Sequence, residues 1–181
     1  MARKLSIMDS GWLMMETRET PMHVGGLALF AIPEDAPSDY MESVYRFMVE
    51  VDGVCRPFSQ KIQSRLPGRL DAAWVEDRNF DIDYHVRHSA LPRPGRVREL
   101  LALVSRLHAQ RLDPGRPLWE SYLIEGLEGN RFALYTKMHH SMVDGMAGMH
   151  LMQSRMASSA DENLPAPWSG EWDKRKKPRK K

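Results

Sequence analysis

Cysteine is almost missing from this sequence. Among 181 residues there is one, Cys55, which excludes an internal disulfide framework and fits a reducing, cytoplasmic compartment. Nothing beside it marks it as a nucleophile, so it reads as a small residue near a packed surface. No apolar run approaches the roughly 18 residues of a membrane-spanning helix. The opening residues, Met-Ala-Arg-Lys-Leu-Ser, hold no long apolar stretch of the secretory kind. Internal repeats are lacking too. What remains has an ordinary globular balance, 42% hydrophobic and 28% charged, and a length that suits one domain with a core of its own.

Net charge is nearly absent as well, at +2, but this conceals an asymmetry. Residues 174–181 read KRKKPRKK and hold seven basic residues. Without those seven, the other 19 basic residues face 24 acidic ones, a net of −5. The body is mildly acidic and the tail strongly basic. Such a run can touch nucleic acid or an anionic bilayer surface, or simply be a solvated linker. From Ser158 onward the composition turns to Ser, Pro and charge with no period. We therefore expect a domain over 1–160 and a linker or disordered tail over 161–181, with Trp168 and Trp172 able to dock locally.

The body alternates helical and extended signals. Ser6 to Glu16 predicts a short helix capped by Asp9 and stopped before Thr20-Pro21. Met22 to Ile32 predicts a buried strand, with Gly25-Gly26 marking a bulge or a close backbone approach. His23 at its start can reach a ligand or serve as a structural hydrogen-bonding residue. Ser38 predicts the cap of a helix to about Val51, with Met41, Val44, Tyr45, Met48 and Val51 on one face. Ala72–Glu76 and Phe80–Val86 have strand character, which would leave His85 and His88 at a surface or edge. After the turn Leu91–Gly95, Arg96–Leu112 repeats Val97, Leu100, Leu101, Val104, Leu107 and Arg111 at helical steps. Pro117 to Glu125 and Arg131 to His139 predict a hairpin across Gly126–Asn130. Gly145 to about Ala157 predicts a helix with Met149, Leu151, Met152 and Met156 inward.

Between the last strand and that helix lies HHSMVDG, residues 139–145. Successive strand residues face opposite sides, so His139 and His140 cannot both aim at one substrate. One imidazole supports and the other faces a cleft, where it can take and return a proton near neutral pH. Asp144 either orients a histidine directly or pairs with an arginine to pin the loop. Gly145 permits a positive φ or a close approach of backbone to ligand. A metal on His139, His140, Asp144 and His150 lacks the helical H-x-x-x-H spacing and needs diverging side chains to converge. Ser141 has no G-x-S-x-G elbow around it. A pair of structural histidines at a strand–loop–helix corner stays open on spacing alone.

HHSMVDG resembles the HHxxxDG signature of the CoA-dependent acyltransferase superfamily, which includes chloramphenicol acetyltransferase and peptide-synthetase condensation domains. The opening LSIMDSGWLMMETRETPMHVGGLALF and the later PLWE are similar to bacterial wax ester synthase/acyl-CoA:diacylglycerol acyltransferases. The likeness runs from about Lys4 to Pro167. It implies an α/β (α+β) fold, a chloramphenicol acetyltransferase-like two-layer sandwich with helices packed on a mixed sheet. It implies His140 as general base, His139 as its support and Asp144 as a mainly structural residue paired with an arginine. Gly145 would keep the channel floor open, and Pro117, Leu118 and Trp119 would pack near that channel. The substrates implied are a fatty acyl-CoA and a long-chain alcohol or diacylglycerol, with no metal, no further cofactor and no nucleic acid. Family members carry a second domain, so this chain is expected to be an N-terminal half whose site a C-terminal domain or chain completes. The expected setting is the cytoplasm, with peripheral attachment to the inner membrane or lipid inclusions.

Overall fold

A computed structural model describes residues 3–64, 71–142 and 164–169. Chain order gives β1 (Arg3–Lys4), α1 (Ile7–Met15), β2 (His23–Ala31), α2 (Tyr40–Val49), β3 (Gln60–Gln63) and β4 (Ala73–Glu76). Then follow α3 (Ile82–His85), β5 (Val86–Ala90), α4 (Val97–Ala109), β6 (Trp119–Leu127) and β7 (Arg131–His139). The main sheet has four strands in the order β2-β7-β6-β5. It is mixed: β2–β7 and β6–β7 are antiparallel and β5–β6 is parallel. A small antiparallel sheet, β1-β4-β3, lies apart from it in pairing. This is the mixed-sheet α/β class expected above.

The predicted hairpin is present. Leu127 pairs with Arg131 after a register shift that follows Ile124, and Gly126, Gly129 and Asn130 take positive φ to close the bulge and turn. β2 pairs with β7 in unbroken register from His23↔His139 to Ala31↔Arg131, so Gly25-Gly26 is no bulge. The close approach is the correct half of that expectation. A Cβ on Gly25 would sit 2.7 Å from the Tyr135 hydroxyl and 3.1 Å from His108 Nδ1.

Register sorts the side chains of the sheet onto two faces. On one, Tyr122, Ile124, Ala133 and Tyr135 pack with Leu91, Leu100, Leu103, Val104 and Leu107, so α4 covers this face. On the other, Trp119, Leu123, Phe132 and Met138 join Met48, Phe58, Trp74 and Trp168 in the larger core. That core holds an aromatic pile. His85 stacks on Phe80 at 4.9 Å and on Trp119 at 4.7 Å, and Trp119 stacks on Trp168 at 5.0 Å. Trp168 donates its indole N–H to Met48 O at 2.9 Å, while its own carbonyl accepts from Cys55 N–H.

Several local expectations need correction. Ser6, not Asp9, caps α1; Asp9 is the reciprocal partner three residues on, completing a capping box. α2 begins at Tyr40 after Asp39, so Ser38 is not its cap. The inward side of α4 is Leu100, Leu103, Val104 and Leu107, while Val97 and Leu101 are exposed. Phe80–Val86 is not one strand: the Asp81 carboxylate accepts from Asp83 N–H and starts the short helix α3, and pairing begins only at Val86. That turn carries His85 inward, fully buried, with Nδ1 donating to Trp119 O at 2.7 Å. His88 does sit at the edge, half-exposed beside Glu125. The helix expected over Gly145–Ala157, with His150, and the tail with Trp172 lie outside the described residues.

Candidate active site

His139 closes β7 and His140 follows it, and α1 with its C-cap reaches both. His139 is 1% exposed. Its Nδ1 accepts the backbone N–H of Ser141 at 3.1 Å and lies 2.7 Å from the Ser141 hydroxyl. In the neutral ring this assigns the hydrogen to Nε2. Nε2 is 3.8 Å from Oε1 of Glu16, the residue that ends α1. The Glu16 carboxylate accepts from Arg111 Nη2 at 2.8 Å and from the Met22 N–H at 3.4 Å. Burial pushes its pKa up, but the Arg111 hydrogen bond, the Met22 N–H and the charges of His139 and Arg111 outweigh this, and the net direction is down.

Ser141, His139 and Glu16 therefore form a chain of hydroxyl, imidazole and carboxylate. It is not a nucleophilic triad. Ser141 is buried, and its own backbone N–H is directed at the same imidazole nitrogen. The chain holds His139 rather than arming Ser141.

His140 is the first residue past the strand. Its backbone N–H donates to Met22 O at 2.9 Å, which extends the β2–β7 ladder by one step. Its ring is half-buried and lies on the indole of Trp12, with centroids 4.6 Å apart and planes 18° from parallel. Trp12 and Glu16 are four residues apart, so α1 presents them from one side. One helical turn thus braces two consecutive histidines, Trp12 against His140 and Glu16 beside His139. The two imidazoles therefore have different surroundings, His139 buried and His140 half-exposed.

Beneath His139 the same face of β7 carries Lys137, wholly buried. Its ammonium donates to Leu107 O at 2.9 Å and Gln110 O at 2.8 Å, and sits 3.3 Å from Glu120. These carbonyls belong to the end of α4, where a cation is favoured. Burial lowers the Lys137 pKa, partly countered by Glu120. The Tyr122 hydroxyl donates to Glu120 at 2.6 Å, and burial with that neighbour raises its pKa. Tyr135 bonds His108 Nδ1 at 2.7 Å, and burial pushes its pKa up to about 12. His23, paired across the ladder with His139, donates Nε2–H to His108 O at 2.7 Å. It is a structural residue, and burial lowers its pKa.

Leu118 and Trp119 lie beside the site through the backbone: Leu118 O accepts from His139 N–H at 2.9 Å. The Leu118 and Trp119 side chains are buried in the large core, and Pro117 is buried next to them. Asp144 and Gly145 lie outside the described residues. Glu16, Arg111, Lys137 and Trp12 were not anticipated as site residues. The W-x-x-x-E spacing from α1 to its C-cap is the one local signal for two of them; Arg111 is 95 positions from Glu16 and gives none.

Residues 5–181 match the family model for the wax ester synthase/diacylglycerol acyltransferase catalytic domain. The chain belongs to that family. Within the wax ester synthase/diacylglycerol acyltransferase family it is 46% identical over 163 residues to a probable diacylglycerol O-acyltransferase of Mycobacterium tuberculosis, covering 89% of this chain and 36% of that protein. It is 42% identical over 177 residues to the O-acyltransferase WSD of Acinetobacter baylyi, covering 97% of this chain and 37% of that protein. The solved wax ester synthase/diacylglycerol acyltransferase of Marinobacter aquaeolei superposes with a TM-score of 0.86 at 43% identity, over 92% of this chain and 40% of the other. The chain thus spans well under half the length of these family members.

Proposed function

We propose that this chain supplies the proton-transfer wall of an O-acyltransferase, with His140 as its general base. His140 takes the proton of a long-chain alcohol or a diacylglycerol hydroxyl as the oxygen attacks the thioester carbonyl of a fatty acyl-CoA. The C–S bond then breaks, and the departing CoA sulfur receives that proton from His140. The products are a wax ester or triacylglycerol and free CoA, and acyl-CoA enters as a substrate. One observation carries this reading: His139 is locked by Ser141 and flanked by Glu16, while the next imidazole is half-exposed and held flat on Trp12. Together with membership of the family, this supports His139 as support and His140 as the working residue.

This reading calls for no metal, since adjacent histidines at a strand end lack the spacing of a shared metal site. Asp144 pins the loop after His140, Gly145 keeps the channel floor open, and Pro117, Leu118 and Trp119 pack behind the site. The remaining length of the relatives corresponds to a further domain that closes the opposite wall, since proximity and water exclusion need both. The protein attaches peripherally to a lipid surface where its substrates lie; among the described residues no helix is long and apolar enough to cross a membrane.

The test is ester formation from palmitoyl-CoA and hexadecanol, by this chain alone and with the C-terminal portion of a relative supplied. We expect turnover only in the combination. His140→Ala in the combination should lower it by about 10²- to 10⁴-fold with the fold intact. Undiminished ester formation by that variant would overturn the assignment.

A further inference from the structure

We infer that Trp12 is a positioning residue for His140, and that its indole favours the protonated ring formed during transfer. The inference rests on His140 being the general base. A histidine ring turns about χ2 in a broad, roughly two-fold well, so its backbone alone does not fix where the nitrogens point. The backbone of His140 is pinned by its N–H bond to Met22 O. The remaining freedom is removed by the near-parallel indole at 4.6 Å.

Trp12 is itself held. The Ser6–Asp9 capping box fixes the start of α1, Leu13 buries beside Trp12, and Glu16 ties the end of α1 to Arg111 and Met22. The plate beneath His140 is therefore part of the fold rather than a loose surface contact.

The stack also has an electrostatic direction. The face of an indole attracts a cation more than a neutral ring. His140 carries its positive charge only after it has taken the hydroxyl proton. The contact strengthens as the reaction proceeds, so its loss should appear in kcat more than in KM.

Two measurements test this. In the chain itself, the carbon-bound ring protons of His140, identified by their disappearance in His140→Ala, should be shifted upfield by the indole ring current. The shift should vanish in Trp12→Leu and persist in part in Trp12→Phe. In the combination with a relative's C-terminal portion, Trp12→Leu should lower kcat about fivefold to thirtyfold with KM little changed, and Trp12→Phe should restore much of it. Unmoved His140 resonances in Trp12→Leu would overturn the inference, as would an unchanged kcat where His140→Ala is inactive. An active His140→Ala would instead overturn the base assignment, and this inference with it.

Discussion

On the face of the sheet covered by α4, β7 offers Tyr135, Lys137 and His139; on the other it offers Leu134, Thr136 and Met138. The two faces are buried to similar depth but held by different forces. The second is an apolar core around Trp119 and Trp168, and its buried hydroxyls Ser121 and Thr136 satisfy each other at 2.8 Å. The first threads polar groups through burial: Lys137, Glu120, Tyr122 and His23 join the end of α4 to the end of the sheet where the histidines lie. Apolar packing tolerates a change of shape, whereas a buried ion tolerates no loss of its partner. The face next to the site is therefore the more brittle and the more exact in placing His139.

Breaking that contrast should have its largest effect at Lys137. Lys137→Met leaves Glu120 without its buried cation and two α4 carbonyls without their donor, and should cost about 3–5 kcal/mol in urea unfolding. Adding Glu120→Gln should recover part of the loss; full additivity of the two would show that they are not a unit. On the apolar face, Leu123→Ala, a fully buried truncation, should cost about 2–5 kcal/mol, spread by how well the core collapses. Its effect on the geometry of His139, followed through that ring's resonances, should be smaller than that of Lys137→Met.

The smallest effect sharpens the comparison through pH. Burial holds the pKa of His23 and of His85 below the ordinary 6.5. The unfolded chain then binds more protons between the folded and unfolded values, so stability falls as pH drops below about 6.5. Glu16 acts lower down: its stabilisation is present above the ordinary 4.5 and is lost as pH falls through its depressed value. His85→Gln should flatten the first part of an acid urea series and leave the second in place. An unchanged slope between pH 7 and 5 would show that His85 does not contribute to it.

Much of this arrangement is legible in the order of the residues. Apolar runs mark β2 and β7, and Gly126, Gly129 and Asn130 announce the turn that joins β6 to β7. The adjacent histidines are expected to differ in surroundings, and one is buried while the next is half-exposed. Phe80–Val86 misleads because an alternating apolar pattern also suits a one-turn helix once Asp81 caps it. His85 reads as an edge residue because only the aromatic pile formed by Phe80 and Trp119 makes a place for it. The α4 stripe is rotated because Leu103, not Leu101, meets the sheet. Lys137 looks like a solvent-facing residue until α4 arrives with its carbonyl end. Such placements depend on partners tens of positions away, which no local pattern encodes.

The register shift between Ile124 and Leu127 behaves as a parity bit. A strand has two settings, odd and even, and a slip of one residue exchanges them for every side chain at once. The irregular step at Gly126 selects the setting in which Lys137 meets the end of α4 and the next odd residue, His139, falls beside Glu16. In the other setting Lys137 would face the tryptophans, and His140 would inherit the locked position and lose its indole. Which imidazole is buried beside Glu16 and which is left half-exposed is thus set at the far end of the hairpin, well before the motif begins.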